Sequence, residues 1–365
     1  MKDTQPPPPE PPPLDAAQTI APAMRYMWLM LTRPFSLRKW LLLALVSLLA
    51  GLFGGGGFNF GSGGDWRESP RHGHVAPYLA AAGHWAREHI VLLVTIAGAV
   101  LLLGLLVAYL SAVFRFVFLD SVARNRVEVK RAFGENWDRG LALFLWQAGF
   151  ALLALLLLGL GFFLIVFPFI HTLLAVHRGG PAPPAAGVLA ALAVVLGILL
   201  TLLGALVVAL IQVTVMDFVL PVMYLEGLGI WASWRRALGL IRAQLGAFAL
   251  YYMLKIPVGI AAAMASGLLG VLGLLAAVIP LGILALAGFL VFLAAKGGHL
   301  AWAWTPGTIF LTVFGGGIAF VYVVYGAACA ALPVAVFRQA WALCFLGQRD
   351  RSLAVIGPPP PTLSP

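Results

Sequence analysis

A basic amphipathic segment followed by a long apolar run occurs three times along the chain, and a shortened fourth copy closes it. Lys130-Arg131-Ala132-Phe133-Gly134 leads into the run from Leu141, and Arg235-Arg236-Ala237-Leu238-Gly239 leads into the run from Ala247. Arg33-Pro34-Phe35 before Trp40 is the first copy, and Arg338 to Gly347 is the shortened one. Such a unit lays a cationic helix on a membrane surface beside a crossing, so its recurrence predicts a repeated membrane structure.

Hydrophobic residues make up 62% of the 365 and charged residues 10%, with a mean hydropathy of +0.98. A soluble core of this length cannot bury so much apolar surface, so lipid is the solvent. Within lipid a helix is the single-segment structure that satisfies its own backbone groups. The expected fold is therefore all-α, a polytopic bundle of about six transmembrane helices with internally repeated amphipathic interfacial helices.

The expected crossings are Trp40 to Phe53 (extendable to Phe60), His89 to Leu119, Leu141 to Val176, Val188 to about Tyr224, one within Phe248 to Ala295, and Thr308 to Leu332. Pro168 is expected to divide the third run into a crossing and a short surface segment. Pro280 leaves open two crossings, or one crossing and a re-entrant segment, and the repeat favours an odd number. Residues 1–23, with Pro6 to Pro9 and Pro11 to Pro13, read as a disordered proline-rich arm. Residues 24–347 read as the transmembrane domain, with an outer glycine- and histidine-containing loop at about 61–88, and 348–365 as a disordered tail. The start of the chain lacks the basic-then-apolar pattern of a signal peptide, so the first crossing is expected to be retained. Met24, Trp28, Leu31 and Phe35 fall at helical spacing with Arg25 and Arg33 off that stripe, the pattern of a helix lying in the membrane surface. Trp231, Trp234, Leu238, Ile241 and Leu245 form a second such stripe.

Lysine and arginine resist translocation and orient the chain. Of 23 basic residues, 16 lie in the N-terminal region, in the segments around 120–140 and 226–246, and in the C-terminal region. The opposite loops hold Arg67, Arg71, Arg87, Arg178 and Lys296, which places both termini and the amphipathic segments in the cytoplasm of a cell (inner) membrane. Trp28, Trp40, Trp137, Trp231, Trp234 and Trp341 would then line the cytoplasmic interface, and Trp66, Trp85, Trp302 and Trp304 the outer one.

Three charges stand inside or at the edge of apolar runs: Arg115, Asp217 and Lys255. Asp217 needs a partner, a proton or water there; such residues mark ion pathways, or else they cap a segment or pair with an arginine such as Arg115 or Arg236. Lys255 lies about two turns inside its run, from where its stem can snorkel to the cytoplasmic headgroups. Lys130, Arg131, Arg235, Arg236 and Arg242 are candidate contacts for anionic lipid, at about 1 kcal/mol per residue near the surface, with generic anchoring as the alternative. His72, His74, His84, Glu88 and His89 in the outer loop match no strong metal-ligand spacing. Cys329 and Cys344 read as packing residues. Gly54 to Gly57 lacks the lysine and hydroxyl of a phosphate-binding loop, and no catalytic triad or nucleophile elbow is present. No catalytic, cofactor or metal residue is assigned, and the basic residues are too dispersed for a nucleic-acid patch.

Residues Arg33 to Trp40 with the glycine run, Phe118-Leu119-Asp120 to Asn125-Arg126, Asp217 to Leu225, Leu240-Ile241-Arg242-Ala243 and Phe345-Leu346-Gly347-Gln348 carry a family likeness. The chain resembles bacterial and archaeal multi-pass proteins similar to the membrane domain of glycerophosphoryl diester phosphodiesterase, over roughly Ala23 to Gly347. The resemblance implies architecture and no active site, because the catalytic barrel of those enzymes has no counterpart here. Three readings follow: a non-enzymatic scaffold or lipid-organising module, a transporter or channel for a small or lipidic solute, and a membrane-embedded enzyme built on the outer histidines.

Overall fold

The structure, a computed structural model, describes residues 15–51, 85, 87–177, 184–295, 306–348 and 353–354. Among them the chain forms α-helices and one π-helical turn, with no strand. The helices are α1 (Ile20–Thr32), α2 (Leu37–Gly51), α3 (Ile90–Arg124), α4 (Val129–Glu135), α5 (Trp137–His177) and α6 (Pro184–Thr214). The π turn Val215–Val219 carries α6 into α7 (Leu220–Leu225), and α8 (Ile230–Ala243), α9 (Leu245–Ala295) and α10 (Pro306–Gly347) complete the chain.

Three hairpins, α2 with α3, α5 with α6 and α9 with α10, are each preceded by a short amphipathic helix: α1, α4 and α8. The architecture thus follows the threefold repeat. The shortened fourth copy is not a separate helix; Arg338 to Gly347 is the last part of α10, and it packs against α1.

Among the described residues five helices are long and apolar enough to cross a membrane: α3, α5, α6 with its continuation through α7, α9 and α10. That is one fewer than expected, and the difference is α2. Its 15 described residues span roughly 22 Å, less than the ~30 Å hydrocarbon layer, and residues 52–60 lie outside the described residues. The run from Phe248 to Ala295 resolves into one helix, since α9 continues unbroken through Pro257 and Pro280. Pro168 likewise leaves α5 continuous, contrary to the expected division. Each proline removes one backbone donor, whereas ending the helix inside an apolar run would leave several groups unpaired in lipid.

Close approach of small residues zips two hairpins. A Cβ on Gly197 of α6 would lie 2.8 Å from the Gly161 carbonyl oxygen of α5. A Cβ on Gly273 of α9 would lie 2.8 Å from the Gly326 carbonyl oxygen and 2.6 Å from Ala330 Cβ of α10. Backbones this close gain the dispersion contacts that hold helices together where hydrophobic burial supplies no drive.

The core sits at one end of the hairpins. It takes Leu43, Ala44 and Val46 from α2, Ser111 to Ala123 from α3, Val215 to Met223 around the π turn, Phe248 and Tyr251 from α9, and Leu332 to Leu346 from α10. Phe218, Phe248, Tyr251, Trp341 and Phe345 form an aromatic cluster within this hub, with neighbouring ring centroids 4.7–5.9 Å apart. Away from the hub, Leu101, Leu155, Leu199, Leu284 and Phe310 are exposed on the outsides of the hairpins, where lipid covers them.

The ordered fold begins earlier than residue 24 and reaches past 347. Ala16 and Thr19 are buried, Trp341 Nε1 donates to Thr19 Oγ1 at 3.0 Å, and the Asp15 amide donates to Gln348 Oε1 at 3.1 Å. Leu353 is fully buried. These residues are held because Trp341, expected at the interface, is instead a core side chain whose indole N–H needs an acceptor. Met24 and Trp28 do face outward from α1, but Leu31 of the same stripe is buried with Ala23 and Met30. Residues 1–14, the outer-loop His72, His74 and His84, and Trp66, Trp302 and Trp304 lie outside the described residues.

Tyr26 of α1 donates to the Val122 carbonyl of α3 at 2.5 Å. Burial, reinforced by Cys344, pushes its phenol up from 10.0 to about 12. The folded state therefore favours the neutral phenol, and this contribution is complete below about pH 10 and lost as pH rises through about 12. Melting scans in detergent across that window are expected to fall less steeply for Tyr26→Phe than for the wild type. Gly273→Ala is expected to cost about 1–3 kcal/mol by forcing α9 and α10 apart. Gly270→Ala, with open space around its Cβ, serves as the control and leaves thermal unfolding unchanged.

Candidate functional site

The hub contains two clusters of charge. In the first, the π turn carries Asp217, whose Oδ2 pairs with Lys255 Nζ of α9 and accepts from Tyr251 Oη at 2.9 Å. Lys255 Nζ also lies 5.5 Å from the Tyr251 ring centroid and 5.7 Å from that of Trp341, within cation–π range. One turn back, the hydroxyls of Thr214 and Tyr252 are 2.6 Å apart. The side chains of Asp217 and Lys255 are 13% and 16% exposed, so both charges are largely withdrawn from solvent and satisfied by each other.

Both expectations for these residues are corrected. Asp217 pairs with neither Arg115 nor Arg236, and Lys255 turns inward instead of snorkelling. One buried pair removes two unpaired intramembrane charges at once, which neither residue achieves by reaching outward alone. Arg115 is also buried, with its Nε donating to the Ala50 carbonyl at 3.1 Å and Nη1 lying 3.6 Å from Met216 Sδ. Its Nη2 is buried without a hydrogen-bond partner. Ser111 Oγ donates to the same Ala50 oxygen at 3.0 Å, so α3 caps the last turn of α2.

The second cluster lies where α3, α4 and α7 meet. Asp120, 1% exposed, accepts from Tyr224 Oη on Oδ1 and pairs with Arg124 Nε at 2.9 Å through the same oxygen. Arg124 Nε also donates to Tyr224 Oη at 3.0 Å. Arg131 reaches Asp120 Oδ2 at 3.9 Å but is held chiefly by Glu128 at 3.1 Å and Glu135 at 3.5 Å. Beside this network an open cleft of about 540 Å³ is lined by Ala123, Arg124, Glu135, Arg139, Tyr224 and Leu225.

The five basic residues singled out as lipid contacts divide. Lys130, Arg235 and Arg242 are exposed on α4 and α8. Arg131 is engaged by the acidic residues of its own helix, and Arg236 pairs with Glu226 at 3.2 Å. On α8 the buried face is Ile230, Ser233, Ala237 and Leu240, while Trp231 and Leu238 of the expected stripe face outward. Sequence reasoning placed Asp120 at the end of its run and missed the Asp120–Tyr224–Arg124 network. A carboxylate four residues before an arginine was the available signal, but Tyr224 enters from 104 residues away.

Helical hairpins with buried ion pairs at a shared end define a multi-pass helical membrane protein. Residues 14–356 match a family of unknown function, DUF7544, and the chain belongs to it. No curated protein and no solved structure matches the chain.

Asp217→Asn is expected to lower stability by about 3 kcal/mol, because it leaves Lys255 buried and unpaired, and Lys255→Met to do the same for Asp217. The double variant is expected to recover most of the loss, read from thermal unfolding in detergent.

Proposed function

We propose that the protein is a non-enzymatic module of the cell membrane that organises lipid, and through lipid its neighbours, at the cytoplasmic leaflet. The observation that carries this reading is how little of the hairpin surface the protein itself covers. None of the most apolar window of α3 is buried inside the protein, and only 6% of that of α5 and of α9. Such helices present lipid-facing surface while a rigid hub holds their ends together. The hub end also bears the exposed cations Lys130, Arg235 and Arg242, which favour anionic headgroups and, by the positive-inside rule, a cytoplasmic location for that end and for both termini.

The likeness to the membrane domain of glycerophosphoryl diester phosphodiesterase belongs to the same proposal, as kinship in architecture without hydrolysis. It rests on Arg33 to Trp40, which here forms the turn between α1 and α2 and the first turn of α2, and on Asp217 to Leu225, which here runs from the π turn through α7. Transport is the second reading, favoured by one observation: the uncompensated Arg115 guanidinium beside a π turn, an element frequent at functional sites.

The test extracts the full-length protein in polymer discs and counts the co-purifying lipids by mass spectrometry. Wild type is expected to enrich anionic lipid over bulk membrane, and the combined Lys130→Gln, Arg235→Gln, Arg242→Gln variant to lose that enrichment at least about fivefold. Bulk lipid composition around the wild type, together with ion or solute flux in liposomes that Arg115→Gln abolishes, would establish transport instead.

A further inference from the structure

We infer that the cleft between α3, α4, α7 and the start of α5 is a binding site for a phosphodiester anion, the headgroup phosphate of a membrane phospholipid, with Arg139 of α5 as its principal charge. This inference deepens the lipid-organising reading and rests on it.

The argument is one of charge. Around the cleft, Arg124 pairs with Asp120 at 2.9 Å, and Arg131 is shared between Glu135 and Glu128 at 3.5 and 3.1 Å. These two arginines face three carboxylates, and Arg139, the remaining arginine of the cleft lining, has no carboxylate within 4 Å among the described residues. Its Nη1 donates to the neutral Asn136 Oδ1 at 3.0 Å. Asn136 is fully buried and donates in turn to the Ala132 carbonyl at 2.8 Å, so the guanidinium is held in place before any ligand arrives. A half-buried cation fixed by a neutral partner is suited to a singly charged anion, and a guanidinium fork is suited to two phosphate oxygens.

The second donor is Arg124. Its Nε serves Asp120 and Tyr224, and its half-exposed guanidinium lines the cleft. Gly227 adopts a left-handed conformation (φ 68°), and a Cβ there would sit 3.6 Å from Arg139 Nη2, so the loop between α7 and α8 brings backbone against the guanidinium. At about 540 Å³ the cleft has room for a headgroup. Its position at the ends of α3 and α7, beside the interfacial helix α4, is headgroup depth, which favours a lipid over a soluble phosphate as the source.

Full-length wild type in detergent, offered phosphatidylglycerol and analysed by native mass spectrometry, is expected to retain one lipid per protein with high occupancy. Arg139→Gln should weaken that retention at least tenfold while leaving thermal unfolding unchanged, and Arg139→Lys should keep part of it. Arg235→Gln with Arg242→Gln, outside the cleft lining, should leave the single retained lipid in place. Undiminished retention by a folded Arg139→Gln overturns the cleft site, and the lipid-organising reading survives if the exposed-cation variant still loses bulk enrichment. Loss of neither property defeats both. If inorganic phosphate or glycerol phosphate at millimolar concentration displaces the lipid and binds alone with equal affinity, the lipid source is overturned. Should Arg139→Gln fail to fold, Gly227→Glu, which brings a carboxylate to the same guanidinium, is the second variant; unaltered lipid retention by it also overturns the inference.

Discussion

The pairing of Asp217 with Lys255 is the buried ion pair that joins the second hairpin to the third within the hub. Asp217 belongs to the second hairpin and Lys255 to the third. The lysine stands over Trp341 at the close of the third hairpin, and Trp341 in turn donates to Thr19 just ahead of α1. In lipid, apolar helices gain little by leaving the solvent, so long hairpins of leucine and valine have no strong reason to prefer each other over acyl chains. Polar groups do, because an unpaired charge in hydrocarbon costs several kcal/mol. The hub lies where the charges, hydroxyls and indole N–H groups find one another, and the hairpins beyond it are held by local glycine contacts.

The π turn makes that pairing possible. Val215–Val219 widens the helix by one residue at the point where α6 becomes α7, and within it Phe218 enters the aromatic cluster while Asp217 meets Lys255. Met216 lies beside Arg115 in the same turn. Three neighbouring residues therefore address three different partners. The same irregularity leaves α7 running on to Tyr224, which closes the network with Asp120 and Arg124. The intramembrane pair and the interfacial cleft are thus two ends of one short stretch of chain.

Between these features the molecule divides its work by depth. Outer parts of the hairpins are apolar and face lipid, the hub is aromatic and tightly paired, and the hub's rim carries cations that are either matched by carboxylates or exposed. Arg131 and Arg236 fall in the first group, and Lys130, Arg235 and Arg242 in the second. Basic residues that look equivalent along a helical stripe thus have different roles, decided by whether an acidic side chain lies within 4 Å.

The sequence by itself determined the solvent, the helical class and the threefold repeat, because hydrophobic run length and the spacing of basic segments are local properties that lipid reads directly. The exposure of Lys130, Arg235 and Arg242 was legible for the same reason. The partner of Asp217, the inward turn of Lys255 and the place of Trp341 in the core were decided by the tertiary structure, since pairing between the π turn and α9 depends on how two residues 38 apart in sequence are set against each other. The continuity of α5 and α9 through their prolines was also decided there. A proline's local rule is to end a helix, and in lipid the cost of freeing more backbone overrides it. The cleft around Arg139 was beyond sequence reading altogether, because its character lies in which charges cancel, and cancellation is a matter of distance.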